Sequence, residues 1–145
     1  MKLVIQRVKS ASVRVGDRLI AETGVGFLIL AGVGRDDDSS VIPWLARKTA
    51  ELRIFEDENG KMNRSLQDIK GEALVVSQFT LLADCQKGRR PSFTDAALPD
   101  KAENFYETFA SELANQGITV KKGIFGAYMQ VNLINDGPVT VILEK

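Results

Sequence analysis

Val25-Gly26-Phe27-Leu28-Ile29-Leu30-Ala31-Gly32-Val33 is apolar at every position that is not glycine. A run of this length without polar alternation is expected of a central strand covered on both faces. The rest of the chain must therefore supply a layer for each side of it. Before the run, residues 3–8 and 12–15 have strand character, and Gly16-Asp17 turns the chain into Leu19-Ile20-Ala21, which predicts an opening hairpin. After it, Asp36-Asp37-Asp38-Ser39-Ser40 supplies acids and a cap for a helix with Pro43 in its first turn. Val41, Trp44, Leu45, Lys48 and Leu52 fall on one stripe of that helix, and the Lys48 stem can lie along the core.

Further on, Ile54-Phe55 reads as a short strand ended by the turn signal Glu58-Asn59-Gly60, and residues 62–70 show no period and read as loop. Residues 72–78 form a Val-rich strand, and residues 83–98 are polar and irregular. Pro99-Asp100 opens a second helix in which Ala102, Phe105, Tyr106, Phe109 and Leu113 keep helical spacing until Gly117 ends it. Residues 118–122, 127–135 and 139–143 complete the strands. The pattern predicts an α+β fold in which two main helices pack on bent, largely antiparallel, barrel-like sheets.

The 145 residues, 44% of them hydrophobic, suit a single domain spanning residues 1–145. Lys+Arg and Asp+Glu both total 19, so bulk charge offers no attraction to nucleic acid, and any RNA contact must be local. The lone Cys85 excludes an internal disulfide and fits a reducing compartment. The chain has no histidine, which removes the commonest general base and the commonest metal ligand together. The amino terminus reads as a strand and not a signal peptide, and no apolar run reaches membrane-spanning length. We therefore expect a cytoplasmic protein with no metal and no membrane partner.

Chemistry concentrates at two strand ends. Ala73-Leu74-Val75-Val76 leads into Ser77-Gln78-Phe79-Thr80-Leu81, and Met129-Gln130-Val131-Asn132-Leu133 leads into Asn135-Asp136-Gly137-Pro138-Val139-Thr140. Ser77 and Thr80 carry hydroxyls, but no histidine, motif lysine or adjacent acid stands ready to activate either. Hydroxyls that cap a strand end are one reading. The preferred one is that backbone N–H groups around Phe79 and Thr80 form an oxyanion hole, a role that needs no particular side chain. Gly137-Pro138 alone is good turn chemistry, and strand position alone puts Arg7 at the surface. Gly24-Val25-Gly26 and Gly32-Val33-Gly34 lack the third glycine of a dinucleotide fingerprint and read as strand bends or close packing. Lys87-Gly88-Arg89-Arg90-Pro91 is the only dense basic stretch, a solvated loop by default, whose position just after residues 77–81 brings phosphates within its reach.

Taken together, the two motifs resemble the signature pair of the D-aminoacyl-tRNA deacylase family of bacterial and eukaryotic type. The resemblance extends to Gln6-Arg7-Val8, Arg53-Ile54-Phe55, Gly60-Lys61-Met62-Asn63, Arg90-Pro91-Ser92-Phe93 and Met129-Gln130-Val131, and so covers essentially the whole chain. It implies a homodimer that hydrolyses the ester between a D-amino acid and the terminal adenosine of tRNA, and that also removes glycine from wrongly charged tRNA. It implies a cis Gly137-Pro138 bond whose segment crosses into the partner's active site, where its carbonyls hold the substrate amino group and exclude an L side chain. Arg7 would brace that segment. Catalysis would lean on the substrate's own 2′-hydroxyl and on backbone donors at Phe79, with Ser77 and Gln78 in the same motif and the Thr80 hydroxyl as alternative nucleophile. Met129 and the apolar side of Phe79 would contact the adenine or ribose. No cofactor, metal or DNA partner is implied. The other function class is a non-catalytic module that binds an RNA end or amino acid on the same fold.

Overall fold

The computed structural model describes all 145 residues. In chain order the elements are β1 (Lys2–Val15), β2 (Arg18–Thr23), β3 (Gly26–Gly32), α1 (Val41–Glu51), β4 (Phe55–Glu56), β5 (Met62–Arg64), β6 (Glu72–Ser77), a 3-10 turn (Phe79–Leu82), α2 (Pro99–Asn115), β7 (Thr119–Lys122) and β8 (Gln130–Glu144). The main sheet runs β2-β1-β3-β6-β7, and β8 pairs with β1. It curls until the Lys121 ammonium on β7 donates to the Glu22 carbonyl on β2 at 2.6 Å, which leaves a nearly closed barrel. The α+β, barrel-like expectation holds.

All three ladders of β1 are antiparallel, whereas β6 joins both β3 and β7 in parallel. Parallel neighbours need a crossover, and α1 and α2 provide the two crossovers here. Because β3 is the centre of the sheet, its alternate side chains feed two cores. Phe27, Ile29 and Ala31 join Ala73, Val75, Leu45 and Phe109 under the helices. Leu28 joins Val8, Val13, Leu74 and Val76 on the opposite face.

β1 is one strand of 14 residues where the pattern suggested two. The cause is a bulge at Lys9: Val8 pairs with Asn135 and Ser10 with Ile134. A one-residue slip reverses which face each side chain takes. Leu3 and Ile5 therefore lie in the helix-side core, while Ala11 and Val13, equally odd-numbered, lie in the other. β8 likewise runs unbroken for 15 residues through positions expected to separate two strands. Residues 62–64, expected to be loop, form β5 and pair with β4; three residues are too few to display a period.

The acidic run before α1 is more occupied than a solvated cap. The Met1 ammonium sits 2.7 Å from Asp37 Oδ2 and donates to the Lys145 carbonyl at 2.6 Å, tying the two termini together. The Ser40 side chain makes no cap; the Asp38 carboxylate instead accepts the Ser40 N–H at 2.8 Å. No helix is long and apolar enough to cross a membrane.

Candidate active site

β3 and β6 run in parallel and stop together, with Ala31 opposite Ser77. Ligands commonly bind beyond the carboxyl ends of parallel strands, where backbone groups are freed and no further strand covers them. Past Ser77, the Gln78 N–H donates to the Ala31 carbonyl at 2.8 Å and the chain tightens into the 3-10 turn. Gly32 makes that turn possible. A Cβ there would lie 2.6 Å from Leu82 Cδ2 and 3.0 Å from the Gln78 carbonyl oxygen, so the glycine run serves close packing.

A cavity of about 610 Å³ opens at this end, a size suited to a small-molecule or nucleoside group. Its walls are the ends of β3 and β6, the first turn of α2 at Leu98 and Pro99, and the segment that includes Tyr128 and Met129. No lining residue carries a carboxylate, ammonium or guanidinium. The side-chain polar groups available are the Ser77 hydroxyl, the Gln78 amide and the Tyr128 phenol. Half-exposed Phe79 packs edge-on against Phe93 with ring centroids 5.0 Å apart, forming an apolar rim. Leu98 and Tyr128 stand open to solvent at the mouth.

Ser77, Gln78, Phe79 and Met129 all line the cavity; Thr80, Arg7, Gly137 and Pro138 do not. The Thr80 hydroxyl accepts from the Gln78 amide at 2.6 Å, so it is already engaged. The first N–H groups of a helical turn have no partner within the turn. No hydrogen bond outside the helices and strands takes up the Phe79 or Thr80 N–H. The motif thus offers the Phe79 N–H at the cavity wall, with the Thr80 N–H next to it in the turn, and no side-chain base beside them.

Behind the lining residues, Tyr106 ties β6 to the chain beyond β7. Its buried hydroxyl donates to the Val75 carbonyl at 3.0 Å and lies 3.3 Å from the Gly123 carbonyl, joining β6 to the segment that follows β7. Burial pushes its phenol far above the usual tyrosine value, so the group stays a neutral donor. Met129 rests directly over Gly123 and against the smaller core.

A second cluster forms where β1 meets β8. Residues 136–139 stand opposite Arg7 alone, as a wide bulge between the pairs Val8–Asn135 and Gln6–Thr140. Arg7, assigned to the surface by strand position alone, is buried. Its Nε–H donates to the Asp136 carbonyl at 3.0 Å and its Nη1–H to the Ile54 carbonyl at 2.6 Å. The Asn135 side chain closes the bulge by accepting the Val139 N–H at 2.9 Å. Gly137-Pro138 is cis and exposed at the crest, and Gly137 has φ +134.

Sequence reasoning gave Phe93, Leu98 and Tyr128 no role in this cavity. Phe93 and Leu98 lie in a stretch without period, and Tyr128 falls inside residues 127–135, expected as strand but ahead of the observed β8, so no period marks them as cavity residues. Phe93 carries two signals, as an aromatic surrounded by polar residues in Pro91-Ser92-Phe93-Thr94-Asp95 and as part of the resembling segment Arg90-Pro91-Ser92-Phe93, though neither assigns it to the cavity.

A family model described as D-Tyr-tRNA(Tyr) deacylase matches residues 4–144. A protein of Exiguobacterium sibiricum named D-aminoacyl-tRNA deacylase is 57% identical over 100% of both chains. One of Thermosipho africanus with the same name is 54% identical over 100% of this chain and 97% of its own. A solved structure named c-Myc DNA Unwinding Element Binding Protein superposes with a TM-score of 0.92 at 44% identity, covering 100% of this chain and 99% of that one. With the full length matched at this identity, the chain belongs to the D-Tyr-tRNA(Tyr) deacylase family.

Proposed function

We propose that the protein hydrolyses the ester joining a D-amino acid to the terminal adenosine of tRNA, rejects the L-aminoacyl ester, and removes glycine from mischarged tRNA(Ala). Family membership carries the coarse part: the chain is a D-aminoacyl-tRNA deacylase, a hydrolase. The observation that carries the chemistry is an apolar cavity with Phe79, the first residue of the 3-10 turn, in its wall, Thr80 next to it, and no carboxylate or amine side chain in the lining. Water adds to the ester carbonyl, the developing oxyanion is met by the N–H groups of these two residues, and the bond to the ribose oxygen breaks to leave free amino acid and the tRNA end. The substrate's own 2′-hydroxyl moves the proton that no side chain here is placed to move. Met129 and Phe79 hold the terminal nucleoside by apolar contact.

Chiral rejection is assigned to Gly137 and Pro138 of a second copy. Within one chain these residues are absent from the cavity wall, yet they crown a bulge braced by Arg7 and Asn135, so a rigid exposed segment is available to a neighbour. The unpaired outer edge of β8 and its exposed Ile134 and Ile142 support a homodimer built on that strand. Backbone carbonyls fixed in this way discriminate enantiomers by position, which a mobile side chain cannot do.

The test is release of amino acid from matched D- and L-aminoacyl-tRNA and from glycyl-tRNA(Ala) by the purified protein. Release from the D and glycyl substrates with the L substrate spared is the expected result. Binding of an RNA end without hydrolysis of any of them returns the protein to a non-catalytic module.

A further inference from the structure

Between the 3-10 turn and α2 the chain doubles back on itself. Asp84 and Ser92 exchange both backbone hydrogen bonds, at 2.8 and 2.9 Å, so residues 85–91 project as a hairpin-like loop. Its tip is Lys87-Gly88-Arg89-Arg90, all exposed, with Gly88 at φ +72 making the reversal. The eight ion pairs of the protein use other cations; Lys87, Arg89 and Arg90 have no carboxylate partner. The nearest acid in sequence, Asp84, is engaged by the Gln86 N–H at 2.9 Å. In a chain of zero net charge this is a local positive field.

The loop is rooted at the cavity rim. Ser92, at the base of the loop, is followed by Phe93, whose ring packs on Phe79 in the cavity rim. Four residues from base to tip reach at most about 14 Å. That length covers roughly four linkages of a stacked strand carrying one phosphate charge per 3.4 Å. A nucleic acid strand whose last nucleoside enters the cavity must leave across its rim, and every linkage there bears one negative charge. Arginine forks match phosphate oxygens in pairs, and unpaired cations bind them without first breaking an ion pair.

We propose that Lys87, Arg89 and Arg90 form a clamp for the phosphodiesters of the single-stranded RNA end leading into the cavity. The proposal rests on the reading of the cavity as the seat of the terminal aminoacylated nucleoside. It adds that affinity for tRNA, as distinct from chemistry on the ester, is gathered on this loop.

The test compares wild type with the triple variant K87A/R89A/R90A on two substrates: D-aminoacyl-tRNA, and a 3′-O-D-aminoacyl adenosine that has no phosphodiester. On tRNA the variant is expected to lose ~10- to 100-fold in kcat/KM at low salt, nearly all of it in KM. Its log–log dependence on salt between about 50 and 200 mM becomes shallower by about 2, from three contacts at ~0.7 each. On the adenosine ester the two proteins behave alike, and K87R/R89K/R90K, which keeps the charges but loses the forks at positions 89 and 90, keeps the wild-type salt slope and falls between wild type and the triple alanine variant in KM on tRNA. Unchanged activity on tRNA, or an equal loss on both substrates, overturns the clamp. If wild type hydrolyses neither substrate, the deacylase reading fails. Fluorescence anisotropy of a labelled RNA oligonucleotide with the tRNA 3′ sequence then decides the clamp by itself: weaker binding by the triple variant supports it, and equal binding overturns it.

Discussion

Arg7 and Asp136 hold each other across the widest irregularity of the sheet. The Arg7 Nε–H reaches the Asp136 carbonyl at 3.0 Å, and the Asp136 carboxylate lies 3.6 Å from the same nitrogen. Because Arg7 is the β1 residue facing residues 136–139, one buried guanidinium sets the height at which Gly137-Pro138 stands above the sheet. Its second anchor, the Ile54 carbonyl, lies just ahead of β4, so the bulge is referenced to the β4–β5 ribbon as well as to β1.

Arg7→Met keeps much of the side-chain volume and removes every donor. Two backbone carbonyls lose their partner, and the expected cost is about 2–4 kcal/mol, read as a lowered urea midpoint with unchanged m. Arg7→Lys retains the charge but not the fork, and should fall between the two. Equal stability of Arg7→Met and wild type would show that the bulge stands without this brace.

The motif at residues 77–81 separates side-chain from backbone catalysis. Thr80→Ala should keep deacylation within ~10-fold of wild type, whereas loss of an essential nucleophile costs ~10⁴-fold or more. Phe79→Pro removes the N–H at the first position of a helical turn, where proline fits, and should cost ~10²–10³-fold in kcat. Phe79→Ala keeps the N–H and should lose mainly in KM. Single-turnover rates for the three variants distinguish a hydroxyl nucleophile from an amide donor.

Asp38, Asp57 and Asp68 each accept hydrogen bonds that hold the carboxyl below the usual aspartate range: Asp38 first from the Ser40 side chain, Asp57 from Asn63, and Asp68 from the Ser65 N–H. A carboxyl depressed in the folded state stabilises the protein above its unfolded pKa of about 3.9, and that contribution is lost as pH falls through the folded value. With no histidine in the chain, unfolding free energy should be flat from about pH 5 to 7 and drop in acid. Asp57→Asn should make the acid drop shallower, and urea unfolding across this pH range checks it.

How far the sequence spoke depended on the kind of signal. Phe27, Ile29, Phe105 and Phe109 were legible as core because their spacing repeats over several turns or along a whole strand. The parallel pairing of β6 was not, since a buried strand looks alike in either direction and only the crossovers through α1 and α2 set it. Nor were the bulges at Lys9 and residues 136–139, which preserve alternation on each side and change only which face it serves. At the site, Ser77–Phe79 and Met129 were found through motif resemblance, while Phe93, Leu98 and Tyr128 are brought to the cavity by tertiary folding that no local period records. Arg7 illustrates the same limit: an arginine on a strand reads as surface until the carbonyls it serves, distant in sequence, are known.

Gly137→Ala addresses whether the exposed segment works in its own chain or in a neighbour's. With φ at +134, an added Cβ would lie 2.7 Å from Val139 Cγ2 and 3.2 Å from Arg7 Nη2, so the crest must shift while the cavity, which it does not line, stays intact. The variant should fold and lose ~10-fold or more of its D-substrate activity, a loss of about 1.4 kcal/mol in transition-state stabilisation. Mixing it with Phe79→Pro chains then decides the arrangement. If the segment serves the partner's cavity, a mixed dimer pairs the intact cavity of the Gly137→Ala chain with the intact crest of the Phe79→Pro chain, and activity reappears at one site per dimer. If the segment serves its own cavity, each chain in the mixture carries one defect at its only site and no activity returns. Recovery on mixing, measured after subunit exchange and absent when either variant is incubated alone, is the expected outcome.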